Sequence, residues 1–183
     1  MNLEQGKKLV RLARSAIFSN EEVIEGFEEK RGVFVTLSSY PSGELRGCIG
    51  FPEPVKKLRE AVAEAARAAA FEDPRFQPIS KDEKFTVEVS VLTVPELIET
   101  DIIKNVRIGQ DGLIIEAGWA KGLLLPQVFP EWKADAKKAL EMTCEKAGLP
   151  KGEWKKGGVK IYRFQAEIFS EESPEGEVGK KNI

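Results

Sequence analysis

The chain has 183 residues, of which 42% are hydrophobic and 32% are charged, so it can bury a full core as one large domain or two interlocked lobes. Histidine is absent, which excludes Cys-His and Ser-His-Asp catalysis and removes the commonest transition-metal ligand. The 28 basic and 30 acidic residues leave a net charge of −2, so the molecule as a whole does not attract nucleic acid or an anionic membrane.

Cysteine usage and hydropathy indicate a cytoplasmic protein. Only Cys48 and Cys144 occur, and the N-terminal segment is charged, so we expect neither disulfides nor a signal peptide. No apolar run approaches the roughly 20 residues that a membrane span requires. We also expect no metal and no cofactor. The high Lys and Glu content, with few Asn and Gln, is typical of proteins from hot-living organisms.

The first half of the chain predicts two helices and three strands from the spacing of its apolar residues. The turn at Pro41-Ser42-Gly43 makes the first two strands antiparallel neighbours. Pro54 suits the first turn of the second helix, because its missing N–H would have no helical partner. In chain order, the elements are a helix at 3–17 that continues amphipathically over 21–29, strands at 33–39 and 45–50, a helix at 55–70 and a strand at 85–91.

The second half is less regular. A hairpin signal at 110–112 precedes a short strand at 113–117, and the segment 118–128 is too apolar for a surface connection. That segment is either a buried strand ended by Pro126 or the lining of a pocket. The remaining elements are a helix at 134–147 with Cys144 in the core, a short polar connection containing Trp154, a last strand at 159–169 and a loose polar tail at 170–183.

Helices and strands are mixed without strict alternation along the chain. This order predicts an α+β fold with a mainly antiparallel sheet flanked by helices. No internal repeat and no flexible linker interrupt it.

The most distinctive stretch is LRGCIG at residues 45–50. On a strand, Arg46 and Cys48 project from one face about 6.5–7 Å apart, close enough for the guanidinium to favour the thiolate. Cys48 is therefore the candidate nucleophile and Arg46 a candidate ligand contact. Gly47 and Gly50 present no side chain, so a ligand, a helix or a neighbouring backbone can come close to the cysteine. The alternative is that these small residues only permit tight packing of a helix on the sheet.

A second candidate group lies in the loop FEDPRFQP at residues 71–78. Asp73 and Arg75 form either a salt bridge that rigidifies the loop or a site in which Arg75 holds an anionic group. Further along the chain, Gln127 follows an apolar run, so its amide must find hydrogen-bond partners or contact a ligand. Asp73 and Glu131 are the candidates for proton transfer.

Several of these segments together resemble the AMMECR domain family, also called AmmeMemoRadiSam system protein A. The resemblance covers about residues 3–169 and includes several independent motifs in register. The motifs are LRGCIG at 45–50, the loop at 71–78 followed by VSVL at 89–92, GLLLPQV at 122–128, TCEKAGL at 143–149 and Trp154.

The resemblance implies a single α+β domain at 1–169, followed by the tail at 170–183, with a larger and a smaller lobe around a cleft. It also implies association, in function if not in contact, with Memo-type and radical SAM proteins. It implies no particular reaction, and a regulatory role in transcription or translation has been suggested for the family without a defined mechanism.

The first functional hypothesis is a binding module. In it, the cleft around the LRGCIG strand holds a small anionic ligand or a protein partner, and Arg46 and Arg75 supply the positive charge. Nucleic-acid binding is a lower-ranked form of this hypothesis, because the charge balance of the chain is slightly acidic.

The second hypothesis is a cysteine-dependent enzyme that acts with the Memo-type and radical SAM proteins. Cys48 attacks or carries a group, and Arg46 lowers its pKa. Asp73 or Glu131 moves protons, and Gln127 places the substrate. The weakness of this hypothesis is the absence of histidine.

Overall fold

The computed structural model describes residues 1–19 and 24–181. Within these residues the chain forms four α-helices, nine β-strands and a short 3₁₀ helix at Glu153–Lys155. No helix among them has the length and apolar character needed to cross a membrane. In chain order the elements are α1 (Leu3–Phe18), β1 (Val33–Ser39), β2 (Leu45–Phe51), α2 (Leu58–Phe71), β3 (Phe85–Leu92), β4 (Glu96–Leu97), β5 (Gly112–Ala117), β6 (Ala120–Leu124), α3 (Val128–Glu131), α4 (Ala136–Lys146), β7 (Lys160–Phe164), β8 (Ala166–Glu171) and β9 (Val178–Lys181).

The strands form two sheets, and the chain divides into two structural units. The strand order is β2-β1-β3-β8-β9 in one sheet and β4-β7-β5-β6 in the other. The pairs β1–β2, β1–β3, β5–β6, β5–β7 and β8–β9 are antiparallel. The predicted α+β class with antiparallel sheets is therefore confirmed, while the cleft between two lobes stays a prediction.

The first unit, which comprises the described residues 1–19, 24–92 and 167–181, packs α1 and α2 against the five-stranded sheet. On β1, the alternate residues Val33, Val35 and Leu37 are fully buried, as the sequence pattern predicted. The alanine-rich face of α2 lies over β1 and β2, where its short side chains permit a close approach of helix and sheet. This packing sets the distance between β2 and α2.

Gly47 marks the closest approach of α2 to β2. A Cβ atom at this position would lie 2.1 Å from the carbonyl oxygen of Ala69, which belongs to the helix backbone. We expect Gly47→Ala to lower the unfolding free energy by about 1–3 kcal/mol, because the helix must move to make room. Urea denaturation measures the loss.

The matched control for this prediction is Gly152→Ala. A Cβ at Gly152 would meet no atom within 4 Å, and its φ of −87° suits any residue. A Gly47→Ala loss no greater than that of the control would contradict the close packing of α2 on the sheet.

The second unit, residues 93–166, packs α4 against β5 and β6 of the four-stranded sheet. Cys144 is fully buried on α4, which confirms its predicted place in the core. Gly148, with φ +73°, follows the helix in the conformation typical of a residue just past a helix C-terminus. The buried core side chains include Leu113, Ile115, Phe129, Leu140, Cys144 and Ile161.

The predicted amphipathic continuation over 21–29 is wrong for its described part. Residues 24–29 are not helical, because Gly26 and Phe27 have φ values of +89° and +56°, outside the helical region. The rest of that prediction, at residues 21–23, lies outside the described residues.

The second helix begins three residues later than predicted, at Leu58 instead of residue 55. Lys57 keeps an extended backbone, with ψ 139°, and forms a β-bridge with Lys30. Pro54 therefore lies in the connection before α2 and not in its first turn.

The hairpin signal at 110–112 is also wrong. It is a turn that leads into β5, and the real hairpin turn is at Gly118-Trp119, between β5 and β6. Gly118 has φ +58°, which the turn requires, and the Trp119 side chain is fully exposed. The segment 118–128 therefore begins on the surface, and its strand β6 lies at a sheet edge.

The predicted last strand, 159–169, is divided into β7 and β8, which belong to different sheets. Gln165 separates them, because its N–H donates to Thr93 Oγ1 at 2.8 Å and its carbonyl accepts from the Thr93 N–H. The loose tail predicted at 170–183 is wrong for 170–171, which end β8, and for 178–181, which form β9 and pair with β8.

Candidate functional site

Cys48 lies in the middle of β2, at one edge of the five-stranded sheet. Its neighbour Gly47 faces α2, so the Cys48 side chain projects from the opposite face. There it pairs across the strands with Thr36, whose Oγ1 donates a hydrogen bond to Sγ at 3.3 Å. Cys48 is half-buried, whereas Cys144 is fully buried and its thiol pKa is raised by that burial.

The outer edge of β2 is closed at Cys48 by two side chains of the loop after α2. The Cys48 N–H donates to Asp73 Oδ2 at 2.9 Å, and Arg75 Nη2 donates to the Cys48 carbonyl oxygen at 3.3 Å. Both main-chain groups therefore find side-chain partners where a further strand would otherwise pair. The Asp73–Arg75 pair holds the cysteine backbone in place.

Asp73 is a buried carboxylate with every contact directed at stabilising its charge. Its side chain is 2% exposed and accepts hydrogen bonds from Arg75 N at 3.1 Å, Nε at 2.9 Å and Nη2 at 2.7 Å. The Arg75 guanidinium, together with the N–H groups of Cys48 and Arg75, holds the pKa of Asp73 far below its usual range despite the burial. Such a carboxylate is poorly suited to accept a proton near neutral pH.

The Arg46 guanidinium is bound by residues other than Cys48. Its guanidinium binds the carboxylate of Glu83 and donates from Nη1 to the Gln77 carbonyl oxygen at 2.8 Å. The side chain is only 15% exposed. Glu83 neutralises this guanidinium, and the role predicted for Arg46 at Cys48 stays a prediction.

The two glycines of the motif permit packing inside the protein. The close approach at Gly47 comes from the α2 backbone, as described above. A Cβ at Gly50 would lie 2.4 Å from the Phe34 ring and 2.4 Å from the Val33 carbonyl oxygen. These contacts agree with the alternative that the small residues permit tight packing, and a ligand-binding role for Gly47 and Gly50 stays a prediction.

Gln127 and Glu131 lie in the second structural unit, at the start and the end of α3. Gln127 Oε1 is buried and accepts no hydrogen bond from the described residues. Glu131 is exposed. The roles predicted for these two residues beside Cys48 stay predictions.

Two polar residues in the same row of the sheet as Cys48 were not predicted as site residues. The register of β2, β1 and β3 places Cys48, Thr36 and Glu88 in one row across the sheet. Glu88 is also bound to Lys181 of β9, at 2.7 Å. Strand alternation put Glu88 on the face opposite the apolar residues of β3, but only the register reveals that the row contains the cysteine.

The model of the AMMECR1 family matches residues 7–169 of the chain. The chain belongs to the AMMECR1 family. Over 197 residues it is 48% identical to a protein of Methanocaldococcus jannaschii, with 100% of this chain and 98% of that protein covered. A protein of Thermococcus gammatolerans is 51% identical over 198 residues, with 98% of this chain and 97% of that protein covered.

A solved structure supports the same assignment. The crystal structure of an uncharacterized protein from Pyrococcus horikoshii is 44% identical and has a TM-score of 0.87, with 100% of this chain and 99% of that chain covered. The AMMECR1 match includes Cys48, Asp73 and Arg75 but ends before Glu171 and β9. Within residues 1–19 and 24–181, no three His, Cys, Asp or Glu side chains are grouped so that they could hold a metal ion.

Proposed function

We propose that this AMMECR1 protein is a binding module whose ligand carries a negative charge and lies against Cys48 and Arg75. The observation that carries the proposal is the asymmetry of the Asp73–Arg75 pair. The Arg75 side chain is 54% exposed, whereas that of Asp73 is 2% exposed. The pair therefore presents the outer edge of the Arg75 guanidinium to solvent beside the half-buried cysteine. Its Nε and Nη2 bind Asp73, whereas Nη1 donates no hydrogen bond to the described residues and is left for an anionic ligand.

Binding is favoured over catalysis because the carboxylate that contacts the Cys48 backbone is already bound by a cation. Asp73 is held ionised by Arg75, and Glu88, two strands away from Cys48, is bound to Lys181. In the described part of the chain, the hydrogen bond at Cys48 Sγ comes from Thr36. A ligand anchored by Arg75 needs no proton transfer, so the same residues serve a binding role without further groups.

The charge at the site is measured by comparing two alkylating reagents at Cys48. Iodoacetate is anionic and iodoacetamide is neutral, so the rate with iodoacetate divided by the rate with iodoacetamide reports the electrostatic potential at the sulfur. We expect Arg75→Gln to lower this ratio about threefold to tenfold, because the Asp73 carboxylate then lacks its countercharge. Peptide mapping by mass spectrometry assigns the label to Cys48, and Cys144, which is fully buried, should stay unlabelled while the protein is folded.

The control variant is Arg46→Gln, which removes the same charge from a neighbouring residue of β2. Arg46→Gln leaves the Glu83 carboxylate without its countercharge, but it is Asp73 that contacts the Cys48 backbone, so we expect the ratio to change much less than in Arg75→Gln. An unchanged ratio in Arg75→Gln, or an equal change in both variants, would overturn the proposal that Arg75 attracts an anion to this site.

A second candidate is a cysteine-dependent reaction, carried out with Memo-type and radical SAM proteins. The hydrogen bond from Thr36 Oγ1 to Cys48 Sγ is the observation that favours it, because it orients the sulfur of a half-buried cysteine. Iodoacetamide rates across pH test it. We expect an activated Cys48 to react with a midpoint below that of free cysteine, and Thr36→Val to remove the difference; a midpoint equal to that of free cysteine would argue against catalysis.

A further inference from the structure

A small polar cavity of about 170 Å³ lies within the second unit, separate from the Cys48 site. It is formed where the short strand β4 pairs with β7, beside the turn before β5. The polar residues that line it are Thr93, Glu96, Arg107, Asp111, Arg163 and Gln165.

Two arginines of this cavity are each paired with a carboxylate, but the two pairs differ in strength. Asp111 is fully buried and accepts from Arg107 N at 2.9 Å, from Arg107 Nε and Nη2 at 3.1 Å, and from Gln165 Nε2 at 3.3 Å. With four hydrogen bonds and no exposure, Asp111 is a fixed part of the fold.

Glu96 is held much more weakly. Its side chain is 69% exposed, and a single oxygen, Oε2, accepts from Arg163 Nε at 3.2 Å and Nη2 at 3.1 Å. Its charge also reaches Arg107, since it contributes, after Asp111, to raising the pKa of that guanidinium. An exposed pair of this kind contributes little to stability, so an outside anion competes with Glu96 at low cost.

We propose that Arg107, Arg163 and their neighbours form a binding site for a phosphate-sized oxyanion, and that the Glu96 carboxylate occupies this site until the anion displaces it. At about 170 Å³, the cavity has room for an anion the size of phosphate but not for a whole nucleotide or peptide.

The donors of the site favour a tetrahedral anion over a planar carboxylate. Thr93 Oγ1 accepts from the Gln165 N–H, and its own hydroxyl hydrogen has no acceptor among the described residues. Gln165 Nε2 uses one hydrogen for Asp111, which leaves the other. The four donor side chains come from different places in the fold: Thr93 follows β3, Arg107 lies before β5, Arg163 is on β7 and Gln165 follows β7. They can therefore bind oxygens that point in several directions.

The test is a titration with inorganic phosphate, followed by ¹H–¹⁵N NMR of the full chain at constant ionic strength. Removing the competing carboxylate with Glu96→Gln should tighten binding about fivefold to tenfold, or about 1–1.4 kcal/mol. Arg163→Gln should abolish the response. The gain expected in Glu96→Gln cannot come from misfolding, so the test remains decisive even if Arg163→Gln fails to fold.

Glu28→Gln is the matched control, because Glu28 is 53% exposed and paired with Lys57 and Arg59 in the first unit. An equal gain in Glu28→Gln and Glu96→Gln, or no phosphate binding by Glu96→Gln, would overturn the site. Acetate binding as tight as phosphate would overturn its tetrahedral preference. Methyl phosphate tests whether the natural ligand is free phosphate or a phosphoryl group on a larger molecule. Tighter binding of methyl phosphate than of phosphate would indicate a phosphoryl group on a larger molecule.

This site is independent of the proposed function at Cys48. Arg75→Gln should leave the phosphate response of Glu96→Gln unchanged, since Arg75 does not line the cavity. The alkylation ratio at Cys48 should in turn be unchanged in Arg163→Gln. Each proposal can therefore fail without the other.

Discussion

Replacing Glu171 by alanine is expected to lower the unfolding free energy by about 3–5 kcal/mol. The Glu171 side chain is 4% exposed and binds Arg14 in a bidentate geometry, with 2.6 Å from Nε to Oε1 and 2.5 Å from Nη2 to Oε2. It also accepts from the Val87 N–H at 2.9 Å. The substitution therefore leaves a largely buried guanidinium and a buried N–H without their acceptor.

Arg14 has few alternatives when Glu171 is lost. Its side chain is 18% exposed, donates to the Phe85 carbonyl oxygen at 2.7 Å and lies 4.6 Å above the centre of the Phe85 ring. Those contacts orient the guanidinium but do not neutralise its charge. The expected loss is therefore close to that of other buried ion pairs from which one partner is removed.

Urea denaturation of Glu171→Ala, Arg14→Ala and the double variant measures this pair. We expect the double variant to lose much less than the sum of the single variants, because the two side chains share one interaction. Glu177→Ala, an exposed residue before β9, should change stability by less than about 0.5 kcal/mol. A loss below about 1 kcal/mol in Glu171→Ala, or strict additivity, would contradict a buried pair at this position.

The Glu171 pair also explains why the end of the chain was mispredicted as a loose tail. The segment after Phe169 is polar, and polarity predicts exposure when each residue is considered alone. Glu171 is buried because Arg14, 157 residues away, neutralises it. Strand β9 is held by backbone pairing with β8, which requires no apolar pattern in its sequence, VGKK.

Strands with a strict alternation of apolar residues could be predicted from the sequence. The strands predicted at 33–39 and 85–91 and the buried face of the first follow from that alternation, because one side of each strand packs against a helix. The predicted strand at 159–169 alternates as well, yet it is two strands in two sheets. The break at Gln165 depends on its hydrogen bonds to Thr93, 72 residues earlier, which no local pattern contains.

The same limit applies to the candidate site. Cys48, Asp73 and Arg75 could be selected from their residue types, and the structure brings them into contact. The partner of Arg46 could not be predicted, because Glu83, which binds its guanidinium, is distant in sequence. The contact of Thr36 with the sulfur likewise depends on the register of β1 and β2, which the turn between them sets.

Replacing Asp73 by alanine is expected to lower the unfolding free energy by about 2–4 kcal/mol. The substitution removes the acceptor of two main-chain donors, the N–H groups of Cys48 and Arg75, and each lost acceptor at a buried site costs about 1–3 kcal/mol. Arg75 itself is half exposed, so water compensates its charge and keeps the loss below that of Glu171→Ala. Asp135→Ala, which removes the N-cap of α4, is the control, with an expected loss of about 1 kcal/mol.

The contribution of the Asp73 charge should depend on pH in a defined direction. The pKa of Asp73 in the folded protein lies below the ordinary value of about 3.9, so its ionised form favours folding. The stabilisation is complete above that ordinary value and is lost progressively as the pH falls below it. Between pH 5 and pH 8, wild type and Asp73→Asn should therefore differ by a constant amount.

Below about pH 4 the difference between wild type and Asp73→Asn should shrink, because the carboxyl group of the unfolded wild-type chain takes up a proton there while that of the folded chain does not. Denaturation at half-unit pH intervals from pH 2 to pH 7 measures it. If the difference stayed constant down to pH 2, the charge of Asp73 would not be what binds the loop to β2.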